Sequence, residues 1–445
     1  MNFSDYIPFY KRNLHLAFPI VLSQAGQVSV SLVDNMMVGH VGTPELAAAS
    51  FANNVFMIGM VFGMGITIGL TPVVGNAFGE GKLTEVAALL KNGVVTHFAV
   101  AILLSVLMFG IYFLLPFLGQ PAEVLTLAEP YFLLLCLSYF PFILFFSVKQ
   151  FFEGVGNTKV VMQITLIANV INIGVNYLFI FGKFGFPELR LVGAGIGTLV
   201  SRIVMPLLFV IYILAIPKMK IYFSEARKQV VRLPKIISIL RIGVPIGIQI
   251  VVEVVAFAIG AVMMGWLGEI PLAAHQVAIG MASFSYMISL GISQANTIRV
   301  SHQMGIKDYH AMKKAATAST HLVLLFMVLM GVVFVVGRYY FPLLFTVDKA
   351  VVDVAAGLLV IAAIFQLFDG LQVIMMSTLR GMADVKIPMF FAFFAYLVVG
   401  IPTSYLLAFP LHLGARGIWF GYLAGLAVAG ILFLMRFKYI IRKLT

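Results

Sequence analysis

Residues 250–260 read "IVVEVVAFAIG". Every residue except Glu253 is apolar or glycine, and the apolar run extends over 238–263. About 20 such residues make one helical crossing of a bilayer's hydrocarbon core. The stretch raises two questions: whether the whole chain is built of such crossings, and why this one carries a carboxylate.

Composition answers the first. The chain has 445 residues, is 62% hydrophobic and 10% charged, and has a mean hydropathy of +1.06. A soluble domain is roughly half apolar and about a quarter charged, so this much apolar surface belongs in lipid. A window of about 20 residues finds twelve candidate spans, at 14–38, 47–76, 93–117, 128–152, 160–182, 193–216, 238–263, 272–302, 317–340, 351–378, 388–409 and 413–435. Long runs without strict alternation predict helices, not a barrel. The expected class is an all-α integral membrane protein. Lys11 and Arg12 precede the first run, which continues through Gln24, Gln27 and Asp34 with no small-residue cleavage site, so it reads as a retained span. Cys136 is the only cysteine, which excludes a disulfide framework.

Lys and Arg orient the spans. Of the 29, 21 fall in the termini, in the even-numbered loops or, for Arg241, at the loop-side edge of the seventh span, and only Lys183, Arg190, Arg338, Lys349 and Arg416 fall on the other side. Lys149, Arg202 and Arg299 lie inside spans. The positive-inside rule then places both termini in the cytoplasm. The net charge of +12 follows from this topology and from contact with anionic lipid headgroups, and it does not point to nucleic acid.

The sequence also matches itself at a shift of 226 residues. Pro19 falls on Pro245, Met37 on Met263, Gly39 on Gly265, Gly65 on Gly291, Thr71 on Thr297 and Gly79 on Gly305. At a shift of 227, "EGVGNTK" (153–159) meets "RGMADVK" (380–386). Further along, without that fixed shift, "VGAG" (192–195) answers "LGARG" (413–417). Six spans per half keep both halves in one orientation, so the expected arrangement is two six-helix lobes related by a pseudo-two-fold along the membrane normal. The expected boundaries are 1–220 for the N-terminal lobe, 221–237 for a cytoplasmic linker and 238–445 for the C-terminal lobe. Such a plan suits alternating access, as in transporters.

Three acidic residues sit deep in spans: Asp34, Glu253 and Asp369. Each costs about 2.5–3.5 kcal/mol at a helix centre on insertion scales, and intramembrane acids default to function. A purely structural carboxylate, paired with a buried Arg or a free backbone donor, is the bland alternative. Neighbouring polar residues fall at helical spacing. Gln24, Gln27, Ser31 and Asp34 form one stripe, and Thr165, Asn169, Asn172 and Asn176 another. Gln249–Glu253 and Gln366–Asp369–Gln372 repeat the pattern. For the amides alone, interhelical glue is the plainer role. The acids do not follow the repeat, since Glu253 falls opposite Gln27, Asp34 opposite Gly260 and Asp369 opposite Phe142. Unlike acids on a repeated scaffold imply different jobs for the two lobes. Arg202, midway along its span, is expected to pair with a carboxylate or free carbonyls. Lys149 and Glu153, four apart, read as a local pair. The closely spaced glycines of "GMGITIG" (63–69) read as helix packing. No Walker A sequence is present, and the eight histidines show no metal-ligand spacing.

The set "SLVDNMMVGHVGTPELAAAS", "GLTPVVGNAFGEGK", "EGVGNTK", "NVINIGVNYLFIFGKFG", "IVVEVVAFAIG", "AAHQVA" and "FDGLQVIMMSTLRG", in that order along nearly the whole chain, resembles the multidrug and toxic compound extrusion (MATE) family in its NorM-like bacterial branch. The resemblance implies export of small organic cations in exchange for Na⁺ or H⁺ across a bacterial inner membrane, with no other cofactor and no enzymatic step. It implies coupling-ion binding at Glu253 and Asp369, with Na⁺ favoured over H⁺. It assigns the N-lobe cation path to Asp34, Asn172 and Asn176. Gln24, Gln27, Gln249 and Gln372 are expected to support these sites, and the expected assembly is a monomer. The rival is a lipid-linked oligosaccharide flippase of similar plan. Its cleft should be rich in Arg and Lys to hold pyrophosphate, whereas the sequence shows three deep acids against one mid-span cation, Arg202.

Overall fold

The computed structural model describes residues 3–444, and their regular structure is helical throughout. Twelve helices are long and apolar enough to cross a membrane. They are α1 (Ile7–Gly39), α2 (Thr43–Gly79), α3 (Leu83–Tyr112), α4 (Ala122–Gly154), α5 (Thr158–Phe181) and α6 (Arg190–Ala215) in the first half. The second half holds α7 (Leu233–Trp266), α8 (Glu269–Ile306), α9 (Tyr309–Gly337), α10 (Lys349–Gly381), α11 (Lys386–Ala408) and α12 (Ala415–Leu444). Several outrun the hydropathy windows, because helical hydrogen bonding continues past the apolar core into polar ends. Helix α11 loosens to π geometry over Phe394–Gly400, a form often found at functional sites.

The repeat is visible in contacts within each half. Thr71 on α2 donates to the Gln150 carbonyl on α4 at 3.1 Å, and Thr297 on α8 donates to the Ser377 carbonyl on α10 at 3.0 Å. Gly154 and Gly381 close the same junctions: a methyl group added at either would meet Val74 or Val300 at 2.7 and 2.8 Å. Thr71 and Thr297, and the segments holding Gly154 and Gly381, are matched in the self-comparison, so the two halves fold by one scheme.

Two compact units result, and their boundaries differ from 1–220 and 238–445. One unit is Leu22–Gly247; the other joins the residues up to Val21 to those from Ile248 onward. The break falls inside α1 and α7, at positions 226 residues apart in the repeat. Small residues explain the first unit's claim on α7. Gly65 and Gly69 of α2 lie against the backbone of Gly247 and Gly243, where an added Cβ would come within 2.4 and 2.5 Å. Two GxxxG faces thus cross at backbone distance, which is what "GMGITIG" contributes. In the other unit Gly291 of α8 meets Val21 of α1. There Asn13 donates to the Ala315 carbonyl at 3.0 Å and to Ser319 Oγ at 2.7 Å. Ala17 and Ile20 sit in the apolar core of that second unit, and Ile239 sits in the core of the first. The expected linker 221–237 is itself structured. A short helix, Pro217–Lys228, lays Tyr222 edge-on against Phe151 with centroids 5.9 Å apart.

Candidate ion and substrate sites

Several acids near the ends of spans are paired with cations. Arg190 reaches Glu45 at 2.9 Å, Arg436 reaches Asp384 at 2.7 Å, and Lys235 reaches Glu85. Lys149 and Glu153 form the buried pair expected from their spacing, at 3.7 Å. Among the described residues no ion pair holds Asp34, Glu253 or Asp369. The three deep acids are thus distinct from every paired one.

In the first unit, Asp34 lies near the end of α1 and is half-buried. Asn176 Nδ2 on α5 donates to its Oδ1 at 2.6 Å and to Asn172 Oδ1 one turn back at 3.2 Å. Asn172 Nδ2 stands 3.5 Å from Ser201 Oγ on α6. The three residues expected to form the N-lobe path are therefore connected in one chain of polar contacts. Asn176 can reach Asp34 because α6 presents Gly197 at the contact, where a Cβ would meet Asn176 Oδ1 at 1.9 Å. Gln24 is buried and Gln27 half-buried on the same helix, yet neither takes part in that chain.

Arg202 is the cation facing this acid. It is within electrostatic reach of Asp34, but it donates to Ser138 Oγ at 2.8 Å and to Met60 Sδ at 3.8 Å. Its guanidinium lies over the rings of Phe142 and Phe56, with centroids at 4.5 and 5.4 Å. The expected carboxylate or carbonyl partner is replaced by a hydroxyl and two aromatic faces. A planar, weakly hydrated guanidinium tolerates that environment, because ring faces carry negative quadrupole charge.

In the second unit, Glu253 on α7 is half-buried and Asp369 on α10 is buried. They lie within electrostatic reach of one another. Gln366 and Gln372 are fully buried, and Gln372 Oε1 has no hydrogen-bond partner in the protein. Gln249 is differently engaged. Its Oε1 accepts from Arg380 Nη2 at 3.3 Å, so that oxygen is already shared with a cation.

Sequence reading missed Arg380, Tyr286 and Tyr396. Both tyrosines feel the charges of Glu253 and Asp369, and the hydroxyl of Tyr396, inside the π segment, has no partner. Arg380 falls just past the 351–378 window, so hydropathy placed it in a loop. Its spacing did carry a signal: Asp369, Gln372, Met376 and Arg380 are three, four and four apart, one face of a helix. With Lys149, Arg299 and Arg380 all buried, the sequence count of one deep cation, Arg202, is too low.

Comparison with known proteins is decisive at this point. The MatE family matches residues 19–178 and again 245–406, starting at Pro19 and Pro245, which the self-comparison superposes. The chain belongs to the MatE family. It is 33% identical to a probable multidrug resistance protein NorM of Rhizobium meliloti, over 98% of this chain and 94% of that one. It is 30% identical to the multidrug resistance protein NorM of Vibrio cholerae, over 94% and 93%. Solved structures share the fold. The Vibrio cholerae MATE transporter VcmN in its bent form superposes with a TM-score of 0.87 at 20% identity, covering 99% of each chain. The eukaryotic MATE transporter AtDTX14 superposes at 0.86 and 22%, covering 99% and 98%.

Proposed function

We propose that this MatE chain is a secondary antiporter that exports cationic, amphipathic organic compounds in exchange for inward Na⁺ or H⁺. The observation that carries the proposal is the set of three deep acids lacking ion pairs, two of them close enough to act together. A carboxylate withdrawn from water must be compensated by a proton, a metal ion or a cationic substrate. The unpartnered oxygens of Gln372 and Tyr396 beside Glu253 and Asp369 offer the hard, neutral ligands an alkali cation prefers.

If substrate and coupling ion compete for these acids, binding of one releases the other. Inward cation flow, favoured by about 2.3 kcal/mol per charge per 100 mV, then drives export. Coupling arises because each ligand favours a different one of the transporter's two access states. The flippase reading loses ground on the relatives, which carry multidrug resistance names over nearly their full lengths. The charge argument against it is weaker than the sequence suggested, given the buried Arg299 and Arg380.

Efflux of a cationic dye from vesicles is expected to follow an imposed Na⁺ gradient. Glu253→Gln and Asp369→Asn should each remove that dependence, and the double variant should be little worse than either. Additive losses would separate the two acids into different sites, and efflux that ignores both Na⁺ and proton gradients would end the antiport reading. The setting is a bacterial inner membrane with both termini cytoplasmic, as the Lys and Arg distribution favours. In a Cys136→Ala background, a cysteine placed at residue 185 should react with an impermeant thiol reagent from outside intact cells. One placed at residue 228 should react only after lysis, and the reverse pattern would invert the topology.

A further inference from the structure

Resting on the reading of Glu253 and Asp369 as the coupling site, we propose that Arg380 fixes the valence of the cation that site accepts, restricting it to one monovalent ion. Arg380 is buried near the end of α10 at 8% exposure. Its Nη2 lies 3.3 Å from Gln249 Oε1 and 3.3 Å from Met376 Sδ. Gln249 stands one turn from Glu253 on α7, and Met376 stands between Gln372 and Arg380 on α10. Gln372 Nε2 in turn reaches Met376 Sδ at 3.7 Å. A continuous buried chain therefore links the guanidinium to the surroundings of both acids, and Glu253 and Arg380 feel one another's charge.

A guanidinium does not deprotonate in proteins. Two carboxylates and one fixed guanidinium carry a net charge of −1. Among the described residues no third His, Cys, Asp or Glu joins the pair. A monovalent cation neutralises such a cluster, while a divalent one would leave a positive charge in a buried site, at large desolvation cost. The ligands point the same way: Gln372 Oε1 and Tyr396 OH are buried oxygens without partners, and neutral oxygens add no further negative charge.

The other half of the repeat shows the alternative arrangement. The position of Arg380 is there Glu153, and that of Met376 is Lys149, which pair with each other at 3.7 Å. That charge is cancelled locally. The first unit's deep acid, Asp34, has Arg202 within electrostatic reach. Asp34 and Arg202 sum to zero, whereas Glu253, Asp369 and Arg380 sum to −1, because Arg299, the other buried cation of that unit, is within electrostatic reach of Arg12 instead. Demand for an external cation falls on the second unit, one charge at a time.

The bland role for Arg380 is a tie between α7 and α10, holding Gln249 in place. The two roles separate by variant. Arg380→Gln keeps a donor and removes the charge, Arg380→Met removes both while keeping an apolar filler, and Arg380→Lys keeps the charge and loses the fork. Binding of ²²Na⁺ and ⁴⁵Ca²⁺ is measured on the purified full-length protein, with a monodisperse elution profile required of each variant. Wild type and Arg380→Lys are expected to bind Na⁺ and exclude Ca²⁺. Arg380→Gln and Arg380→Met should shift the Ca²⁺-to-Na⁺ preference by about tenfold or more, as expected for loss of one nearby unit charge. The gained Ca²⁺ binding should disappear on adding Glu253→Gln.

Neutral variants that go on excluding Ca²⁺, while Glu253→Gln and Asp369→Asn abolish Na⁺ binding, would overturn the proposal and leave the site reading intact. Na⁺ binding that survives both acid substitutions would overturn both, and a wild type that binds no Na⁺ would overturn the valence proposal while leaving the two acids as a proton-coupling site.

Discussion

A single amide decides how Asp34 is presented. Asn176 Nδ2 donates to it at 2.6 Å, and an amide can orient a carboxylate without cancelling its charge. Asp34→Asn keeps the shape and removes the charge, so the variant should fold into the membrane and fail to export a cationic dye. Asn172→Leu and Asn176→Leu should each impair efflux less than that, with Asn176→Leu the worse of the two because only Asn176 touches the acid. Efflux measured at matched membrane expression checks the order; a wild-type rate for Asp34→Asn would remove Asp34 from the cation path. At this scale the sequence was most legible for acids, because one carboxylate in an apolar window is conspicuous. It was least legible for groups whose polarity is small or whose position is marginal. Tyr286 and Tyr396 look like ordinary aromatic filler. Arg380 lies beyond a hydropathy boundary although its side chain turns back along the helix to Met376.

Helix pairs show why some glycines are fixed and others free. Gly197 on α6 leaves room for the Asn176 amide on α5, just as Gly421 on α12 leaves room for Ser404 on α11, each with a Cβ position 1.9 Å from the facing side-chain oxygen. An alanine at 197 must displace Asn176, which is also the donor to Asp34. Overpacking of this kind costs typically about 1–3 kcal/mol. Gly197→Ala should therefore lower the apparent melting temperature and reduce efflux together. Gly174, on the same α5, has nothing within 4 Å of its Cβ position, and Gly174→Ala should leave both unchanged or slightly improved, since helix interiors favour Ala over Gly by about 0.5–1 kcal/mol. Equal losses in the two variants, read by thermal unfolding and dye efflux, would show that Gly197 acts only as a flexible residue. Span number and order were readable from hydropathy alone, because each helix is a long apolar run. Which glycine faces which helix was not, since that depends on rotation and crossing angle. The π segment at Phe394–Gly400 left no sequence mark that hydropathy could register.

Over the whole molecule, the internal repeat was legible to the residue for pairs such as Thr71 and Thr297, while their equivalent hydrogen bonds to Gln150 and Ser377 emerge only in the fold. The unit boundaries were not. Self-similarity says where one half ends and the next begins along the chain, but contacts decide which unit a segment completes. Residues up to Val21 are compact with Ile248 onward, and the first part of α7, up to Gly247, is compact with the first half. Each unit therefore depends on a segment encoded in the other half. The α2 face of Gly65 and Gly69 needs Gly247 and Gly243, and Gly291 on α8 needs Val21. Backbone-distance crossings of this sort are held by packing that lipid does not replace. Residues 1–228 and 229–445, divided after the helix Pro217–Lys228, should each be degraded or aggregate when made alone. Made together in one cell, they should co-purify and restore dye efflux. If the 1–228 fragment alone gave a monodisperse, cooperatively melting species, the α7 segment would be dispensable to its unit. A first half that is self-sufficient would return the boundary to 220, where the repeat alone had placed it.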